Sequence, residues 1–576
     1  MQNKYRMRRL LLLGTVLLVG CADTTEDSQD SNGVMDETEE IIPENDEGTE
    51  TDEPTVEEDP ADEYETETIE FTSDVEAQYT TSLNQALLDA HSQRHQEIEE
   101  ELTDGNYTFE DPLVTVDPYG RSPLAALVSF ESEEIYEVTV TVEGDTEVTT
   151  ISHTYILPER EMHIPVLGLY PNRENQVTIA ARTEAGEILE TSVTATTSSL
   201  PDDLLEFTVE AADPDRMAEG LTFIQPSYYP TAVDSNGDVR WFSPVKTYNQ
   251  LKRLENGHML LATLEEDREE YDHLTEMDMV GRVHQSITID MENVIDSPPL
   301  HHDTIILPND NYLALLHDGS EEYVEDELAE IDKETGEVVH RINFKDIFPE
   351  EMYLEYSGHN EDVGDWLHIN TVWKVEDEDA LLLSLRNQDV ILKLSYPEPE
   401  IEWLMGPTEG WHADVQEYVL EPVDEAIVFH TGPHAVEEMP DQDGNEDTID
   451  MMLFDNNRVY TRGDLELSEQ YSRGVQFRIN EAEGTVEEIW SYGEERGTDF
   501  YSRIVGDADY LEESDTVLLA SGHVLDEAAN QRNSIIVEVT KTDEPEVVFE
   551  MWYGPFGANE YFQTYRAERI PLYPEN

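Results

Sequence analysis

The stretch Leu254-Glu-Asn-Gly-His-Met-Leu-Leu-Ala262 sets apolar residues on either side of an Asn-Gly turn, and the chain repeats it in altered form. Ile306-Leu-Pro-Asn-Asp-Asn-Tyr-Leu-Ala-Leu315, Val375-Glu-Asp-Glu-Asp-Ala-Leu-Leu-Leu-Ser384 and Leu511-Glu-Glu-Ser-Asp-Thr-Val-Leu-Leu-Ala520 follow the same pattern. Each reads as a tight hairpin whose second strand is buried on both faces. A closing strand that ends on Trp recurs as well, in Asp238-Val-Arg-Trp241, Glu400-Ile-Glu-Trp403, Val486-Glu-Glu-Ile-Trp490 and Val547-Val-Phe-Glu-Met-Trp552. Four-stranded units repeating at about 40 to 50 residues are the mark of a propeller, in which radial closure protects the sheet edges. Counting from Leu221 gives five interior units and one split between Leu221–Ile224 and Tyr565–Leu572. The expected fold is therefore all-β, with a six-bladed β-propeller over residues 201–576; a pair of irregular β-sandwiches is the competing architecture.

Upstream of Ser198-Ser-Leu-Pro201, which reads as a hinge, residues 81–200 have a different texture. Leu83, Leu87, Leu88 and Ile98 predict a helix over Ser82–Leu102. β-Branched alternation then runs through Tyr136–Val142, Val148–Leu157, Gln176–Ala181 and Leu189–Thr196, with turn clusters between the runs. These short strands predict a small N-terminal β-sandwich of immunoglobulin-like size.

At the N-terminus Lys4, Arg6, Arg8 and Arg9 precede an apolar run from Leu10 to Val19. At about ten residues that run is too short to span a bilayer of about 30 Å. Leu18-Val-Gly-Cys21 closes it, and Cys21 is the only cysteine of the 576 residues. Residues 1–21 therefore read as a lipoprotein signal, with Cys21 as the lipidated residue and the mature chain on the extracytoplasmic side of the cell envelope, membrane-bound through that anchor. A chain with one cysteine has no internal disulfide. Residues 22–80 are rich in Asp, Glu and Thr and contain no Lys or Arg, a composition that favours a solvated tether.

The 133 acidic and 32 basic residues give a formal net charge of -101. Nucleic acid is excluded as a partner class, since phosphate binding needs a positive patch. Acid-rich, Lys-poor surfaces suit concentrated salt, where the Debye length shrinks to about 3 Å at 1 M; the expectation is a halophilic protein.

Against this background, polar clusters at the predicted blade starts stand out. They are Leu300-His-His-Asp303, Asp365-Trp-Leu-His-Ile-Asn370, Leu383-Ser-Leu-Arg-Asn387 and Thr431-Gly-Pro-His-Ala435, with Phe454-Asp-Asn456 on the strand after the last. Strand alternation would put His368 and Asn370 on one face, and likewise Ser384 and Arg386. Converging His and Asp could ligate a metal such as zinc. Arg386 argues instead for an oxyanion held by His, Arg and Asn donors, with no metal and no cofactor. Tyr501-Ser-Arg503 and Ser521-Gly-His523 are secondary candidates.

Taken in order, His301-His302-Asp303 with Leu307-Pro-Asn309, Asp365–Asn370, Ser384-Leu-Arg386, His434-Ala435 with Pro440–Gly444, Phe454–Asn456 and Tyr565–Pro571 resemble the bacterial arylsulfotransferases that work without a nucleotide sulfate donor. The resemblance covers roughly Pro112 to the C-terminus. It implies a β-sandwich before a six-bladed propeller, a phenolic sulfate donor, a phenolic acceptor, a homodimer, and ping-pong transfer through a sulfohistidine. It implies His434 as nucleophile, with His302 or His301, His368, Asn370 and Arg386 holding the sulfuryl oxygens and protonating the leaving phenolate. Ser384, Tyr501, Arg503, Ser521 and Arg566 complete the candidate substrate-binding set, and Arg386, Arg503 and Arg566 are the candidates for a local positive funnel. Pro433 and the acidic segment Met439–Asp450 depart from the expected neighbourhood of the nucleophile. A non-catalytic surface-displayed binding propeller and a metal-dependent hydrolase on the same scaffold are the alternative functions.

Overall fold

A computed structural model describes residues 70–71 and 79–574, except 157–160, 227, 267, 269, 292–297, 318–322, 324–325, 355, 357–363, 377, 527 and 558–562. The expected signal, residues 1–21 with Cys21, and nearly all of residues 22–80 lie outside the described residues. Among the described residues the chain is nearly all-β. Six sheets of four or five strands occupy the C-terminal part. Each contains one inner strand: β1 (Lys246–Arg253), β2 (Leu300–Ile306), β3 (Ile369–Lys374), β4 (His434–Glu438), β5 (Asp507–Leu511) and β6 (Thr564–Ile570). Each inner strand contacts the next, and β6 contacts β1, so the strands close a ring.

The repeated hairpins connect first to second strands, and the same backbone bond closes several of them. Leu254 N–H donates to His258 O at 2.9 Å, Leu307 N–H to Asn311 O at 2.8 Å, and Val375 N–H to Ala380 O at 3.1 Å. The Trp-ended segments are the fourth strands, and three of these four indoles reach the next sheet, whereas Trp552 Nε1 donates to Glu550 of its own strand at 2.9 Å. Trp241 Nε1 donates to Met279 O at 2.9 Å, Trp403 Nε1 to Glu481 at 2.7 Å, and Trp490 Nε1 to Thr542 O at 3.1 Å. In each case the acceptor belongs to the following sheet, so an aromatic with one polar atom fastens neighbours together. The split sheet is joined by antiparallel pairing of β6 with Leu221–Pro226, in register Leu221↔Ile570 and Ile224↔Ala567.

Four short outside segments cover outer sheet edges, which would otherwise expose unpaired backbone groups. Tyr79–Leu83 pairs with Val283–Met291, Glu70–Phe71 with Val338–Asn343, Phe207–Ala212 with Val547–Gly557, and Glu421–Pro422 with Thr485–Tyr492. The last residues of the expected tether, 70–71 and 79–80, are thus edge strands. The helix runs over Gln85–Gly105 rather than Ser82–Leu102, because Tyr79–Leu83 is held as a strand and Asn84 caps the helix by accepting from Leu87 N–H at 3.2 Å.

Between helix and ring in chain order come a three-stranded and a four-stranded antiparallel sheet. Val138, Val140, Val142, Val177, Ile179 and Ala181 alternate inward and share one core with Val128, Phe130 and Ile164, and with Phe223 and Trp241 of the ring. Arg240, wholly buried, donates to Gly168 O at 2.9 Å and Thr149 O at 2.7 Å and pairs with Asp234 at 2.9 Å. Through its Nε and Nη1 this guanidinium fastens the ring to these sheets.

Candidate active site

Inner strands carry their polar residues at distorted starts. Asn249, His302, His368, Ala435 and Val505 have φ of 45°, 51°, 51°, 52° and 58°. Pairing slips between Leu300 and Thr304, between Ile369 and Thr371, and between His434 and Glu437. Such bulges re-aim side chains, and left-handed non-glycine residues cost about 1–3 kcal/mol each, a pattern typical of functional sites. The alternation expected for His368 and Asn370 therefore fails: the His368 backbone is left-handed and precedes β3. Ser384 and Arg386 do not share a strand face either, since the strand Ala380–Leu385 ends before Arg386, which opens a 3₁₀ turn.

Despite that, the ring brings the candidates together. The His302 and His368 ring centroids are 4.7 Å apart, and His302 and Tyr565 are 5.7 Å apart. His434 lies 6.4 Å from the Tyr565 ring, whose hydroxyl donates to Asn370 O at 2.9 Å. His301 Nδ1 is 2.9 Å from His302 Nδ1, so one nitrogen must donate and the other accept. His301 also faces the His317 ring at 4.9 Å, behind His302.

His434 is 2% exposed and its tautomer is set by its neighbours. Its Nδ1 is 2.6 Å from Asn456 Oδ1 and 3.3 Å from Gly432 O. The Asn456 amide is oriented by its Nδ2, which donates to the carbonyls of Ser502 and Val505 at 2.9 Å each. Both partners of Nδ1 are acceptors, so Nδ1 carries the proton and Nε2 carries the lone pair. Burial, then the positive charges of Arg386 and His368, hold this imidazole well below its usual range.

His368 Nδ1 is 2.7 Å from Asp365 Oδ2, and Arg386 lies 3.6 Å from the same carboxylate. Arg386 also donates to Asn387 Oδ1 at 2.9 Å and sits 4.8 Å over the Tyr460 ring. Gly432 has φ +62°, and a Cβ there would meet Arg458 O and the Tyr460 ring at 2.9 Å, so only glycine lets the loop before His434 pass this close. Pro433 serves as an acceptor: Asn370 Nδ2 donates to its carbonyl at 2.9 Å.

Other candidates lie elsewhere. Arg566 pairs with Asp303 at 2.9 Å and is buried, so its charge is spent inside the ring rather than on a funnel. Ser521 donates to Phe500 O at 2.5 Å, and Ser384 is buried within its sheet. Tyr501 and exposed Arg503 flank the loop that carries Asn456. The acidic segment after His434 follows the far end of β4, beyond Glu438, and turns through Gly444 N–H donating to Asp441 at 2.7 Å. Among the described residues no three or more His, Cys, Asp or Glu side chains are grouped to hold a metal. Roles that sequence reading missed fall to Tyr565, Asn456, Asp365, Tyr460 and Asp389. The first three stood inside quoted motifs without a role, and the last two carry no signal in their spacing.

Comparison with known proteins gives the family. The family described as Arylsulfotransferase (ASST) matches residues 206–566, and the Arylsulfotransferase Ig-like domain matches residues 113–198. This chain belongs to the arylsulfotransferase family and is an enzyme of that class. It is 25% identical to an arylsulfate sulfotransferase AssT of Lelliottia amnigena, over 71% of this chain and 85% of that protein. To the arylsulfate sulfotransferase AssT of Escherichia coli O6:H1 it is 24% identical with the same coverage. Among solved structures, a putative 6-phosphogluconolactonase from Bacteroides fragilis aligns at TM-score 0.31 and 12% identity, covering 73% of this chain and 96% of that one.

Proposed function

We propose that this enzyme is a six-bladed β-propeller with an immunoglobulin-like sandwich before it, and that it moves a sulfuryl group from a phenolic sulfate ester to a phenolic acceptor through a sulfohistidine at His434. The observation that carries the reading is the His434–Asn456 contact, which leaves Nε2 unprotonated on a ring that shares Tyr565 with His302 and feels the charges of Arg386 and His368. In the first half-reaction the Nε2 lone pair forms a bond to sulfur while the sulfur–aryl oxygen bond breaks. The departing phenolate takes a proton from His302 or His368. In the second, that histidine takes the acceptor phenol's proton, the phenolic oxygen bonds to sulfur, and the sulfur–nitrogen bond breaks, restoring neutral His434. Arg386 matches the developing charge on the sulfuryl oxygens with a planar fork, and alignment supplies most of the rate, as in phosphoryl transfer. Of the two adjacent histidines, His302 faces the substrate space and His301 sets its proton from behind.

Nitrophenol release from 4-nitrophenyl sulfate, accelerated by added phenol and needing neither nucleotide nor metal, is the expected activity. With donor alone, a peptide containing His434 gains the mass of one sulfo group; absence of that adduct, or full turnover by His434→Asn, overturns the mechanism. We further propose attachment to the membrane through acylated Cys21, read as a lipid-modified N-terminal peptide by mass spectrometry, and a homodimer, read by sedimentation.

A further inference from the structure

Beside the imidazole group lies a second concentration of positive charge. Arg458, 2% exposed, donates from its guanidinium to Arg503 O at 3.5 Å and sits 5.1 Å over the Tyr460 ring, the ring that also carries Arg386. Arg532 contacts His523 Nε2 at 2.6 Å, and His523 N–H donates to the hydroxyl of Ser502 at 3.1 Å. The Ser502 carbonyl in turn accepts from Asn456, the partner of His434, so the two groups of side chains are one hydrogen-bonded residue apart. Among the described residues one carboxylate pairs with this set, Glu469 at 3.5 Å from Arg458, and its side chain is 52% exposed. The Arg458 atom that faces Glu469 is its Nε, while the buried Nε of Arg532 and the buried hydroxyl of Tyr501 make no hydrogen bond. Mutual repulsion is felt in the group: His523 is held at about 3 by burial and by Arg532, Arg503 and Arg458. In a chain of net charge -101, a guanidinium set against a neutral imidazole, two more whose charges reach that ring, and unmet donors on Arg532 and Tyr501 make a setting suited to an anion.

We propose that Arg458, Arg503 and Arg532, with Tyr501, form a second oxyanion subsite that selects aryl substrates carrying another anionic group, a carboxylate, sulfate or phosphate, besides the reacting oxygen. This rests on the sulfotransfer reading above and specifies its substrate class. Arg386 and the histidines take the sulfuryl group; across Tyr460, the second set takes the remote charge. Because the remote contact is the same in ground and transition states, it acts on KM more than on kcat.

The test fixes 4-nitrophenyl sulfate as donor and compares phenol with 3-(4-hydroxyphenyl)propionate as acceptors. We expect kcat/KM to favour the anionic acceptor about tenfold or more, mostly through KM, and the preference to shrink as salt screens exposed Arg503. In Arg503→Gln and Arg532→Gln the ratio should fall toward one. A wild-type ratio at or below one, or an unchanged ratio in both variants, overturns the subsite. Should either variant fold poorly, competitive inhibition of wild type by 3-phenylpropionate but not by 3-phenylpropanol decides the same point; equal inhibition by both overturns it. No nitrophenol release with any acceptor would overturn the sulfotransfer reading itself.

Discussion

The carboxylate of Asp389 accepts the backbone N–H of Gly432 at 2.9 Å, two residues before His434. The same buried carboxylate accepts from Tyr460 at 3.0 Å, Thr461 at 2.6 Å and Arg462 at 2.8 Å. One side chain thus organises both the loop that presents His434 and the loop that stacks on Arg386. In Asp389→Asn the amide would turn N–H groups toward N–H groups, leaving buried donors unmet at about 1–3 kcal/mol each. We expect a loss of about 2–4 kcal/mol in a urea unfolding series, with a fall in kcat; unchanged stability would refute the anchoring role.

Asn456 governs which nitrogen of His434 is basic. Asn456→Ala should lower kcat on the order of 10²- to 10⁴-fold with the fold retained, by analogy with other wrong-tautomer variants. Asn456→Asp places a carboxylate at Nδ1 and should raise the His434 pKa, moving the acid limb of the pH–rate profile upward. An identical profile would contradict the assignment.

For wild type the nucleophile's acid limb should lie well below pH 6.5, since burial, Arg386 and His368 favour the neutral ring. The rate of sulfo-adduct formation on His434, followed from pH 4 to 8, checks this.

Stability should fall as pH rises from 6.5 to 8. Burial and mutual repulsion raise the carboxyls of Glu437, Asp507 and Asp509, burial raises Glu568, and Asp389 is pushed up to about 7. Unfolded carboxyls titrate near 4, so over this window the folded state binds more protons and loses ground as they leave. Below about 6.5 the sign is opposed by His91, held at about 4, and His430, at about 3, which stay neutral folded but charge unfolded. Urea midpoints at pH 6.5 and 8 in constant salt test the slope, and Glu437→Gln should flatten it.

Arg386→Lys keeps the charge but loses the fork and the stacking on Tyr460. Turnover should drop about 10²- to 10³-fold, the scale for removing an oxyanion donor. Salt acts more broadly: with net charge -101, the thermal midpoint should rise between 0.1 and 2 M sodium chloride. A midpoint already maximal at low salt would reject the halophilic reading.

Sequence periodicity carried the strand-level reading far, because hairpins such as Leu254–Ala262 and closing strands such as Glu400–Trp403 obey local rules of turn chemistry and burial. His302, His368 and His434 were legible as a set since each begins or precedes an inner strand. Side-chain direction was not legible, because the alternation rule breaks where His368 turns left-handed. Nor was the partner of each charge. Arg566 looks identical in sequence to Arg503, yet one is neutralised by Asp303 from 263 residues away and the other reaches solvent. Loop residues 456–462 combine Asn456, Arg458 and Tyr460 through bends that no periodicity announces.

The zipper between Leu221–Pro226 and Thr564–Ile570 has a consequence for biogenesis. Tyr565, which touches both His302 and His434, belongs to the strand that closes the circle. The imidazole cluster is therefore assembled only once strands about 340 residues apart in the sequence have paired, so a partly folded ring lacks it.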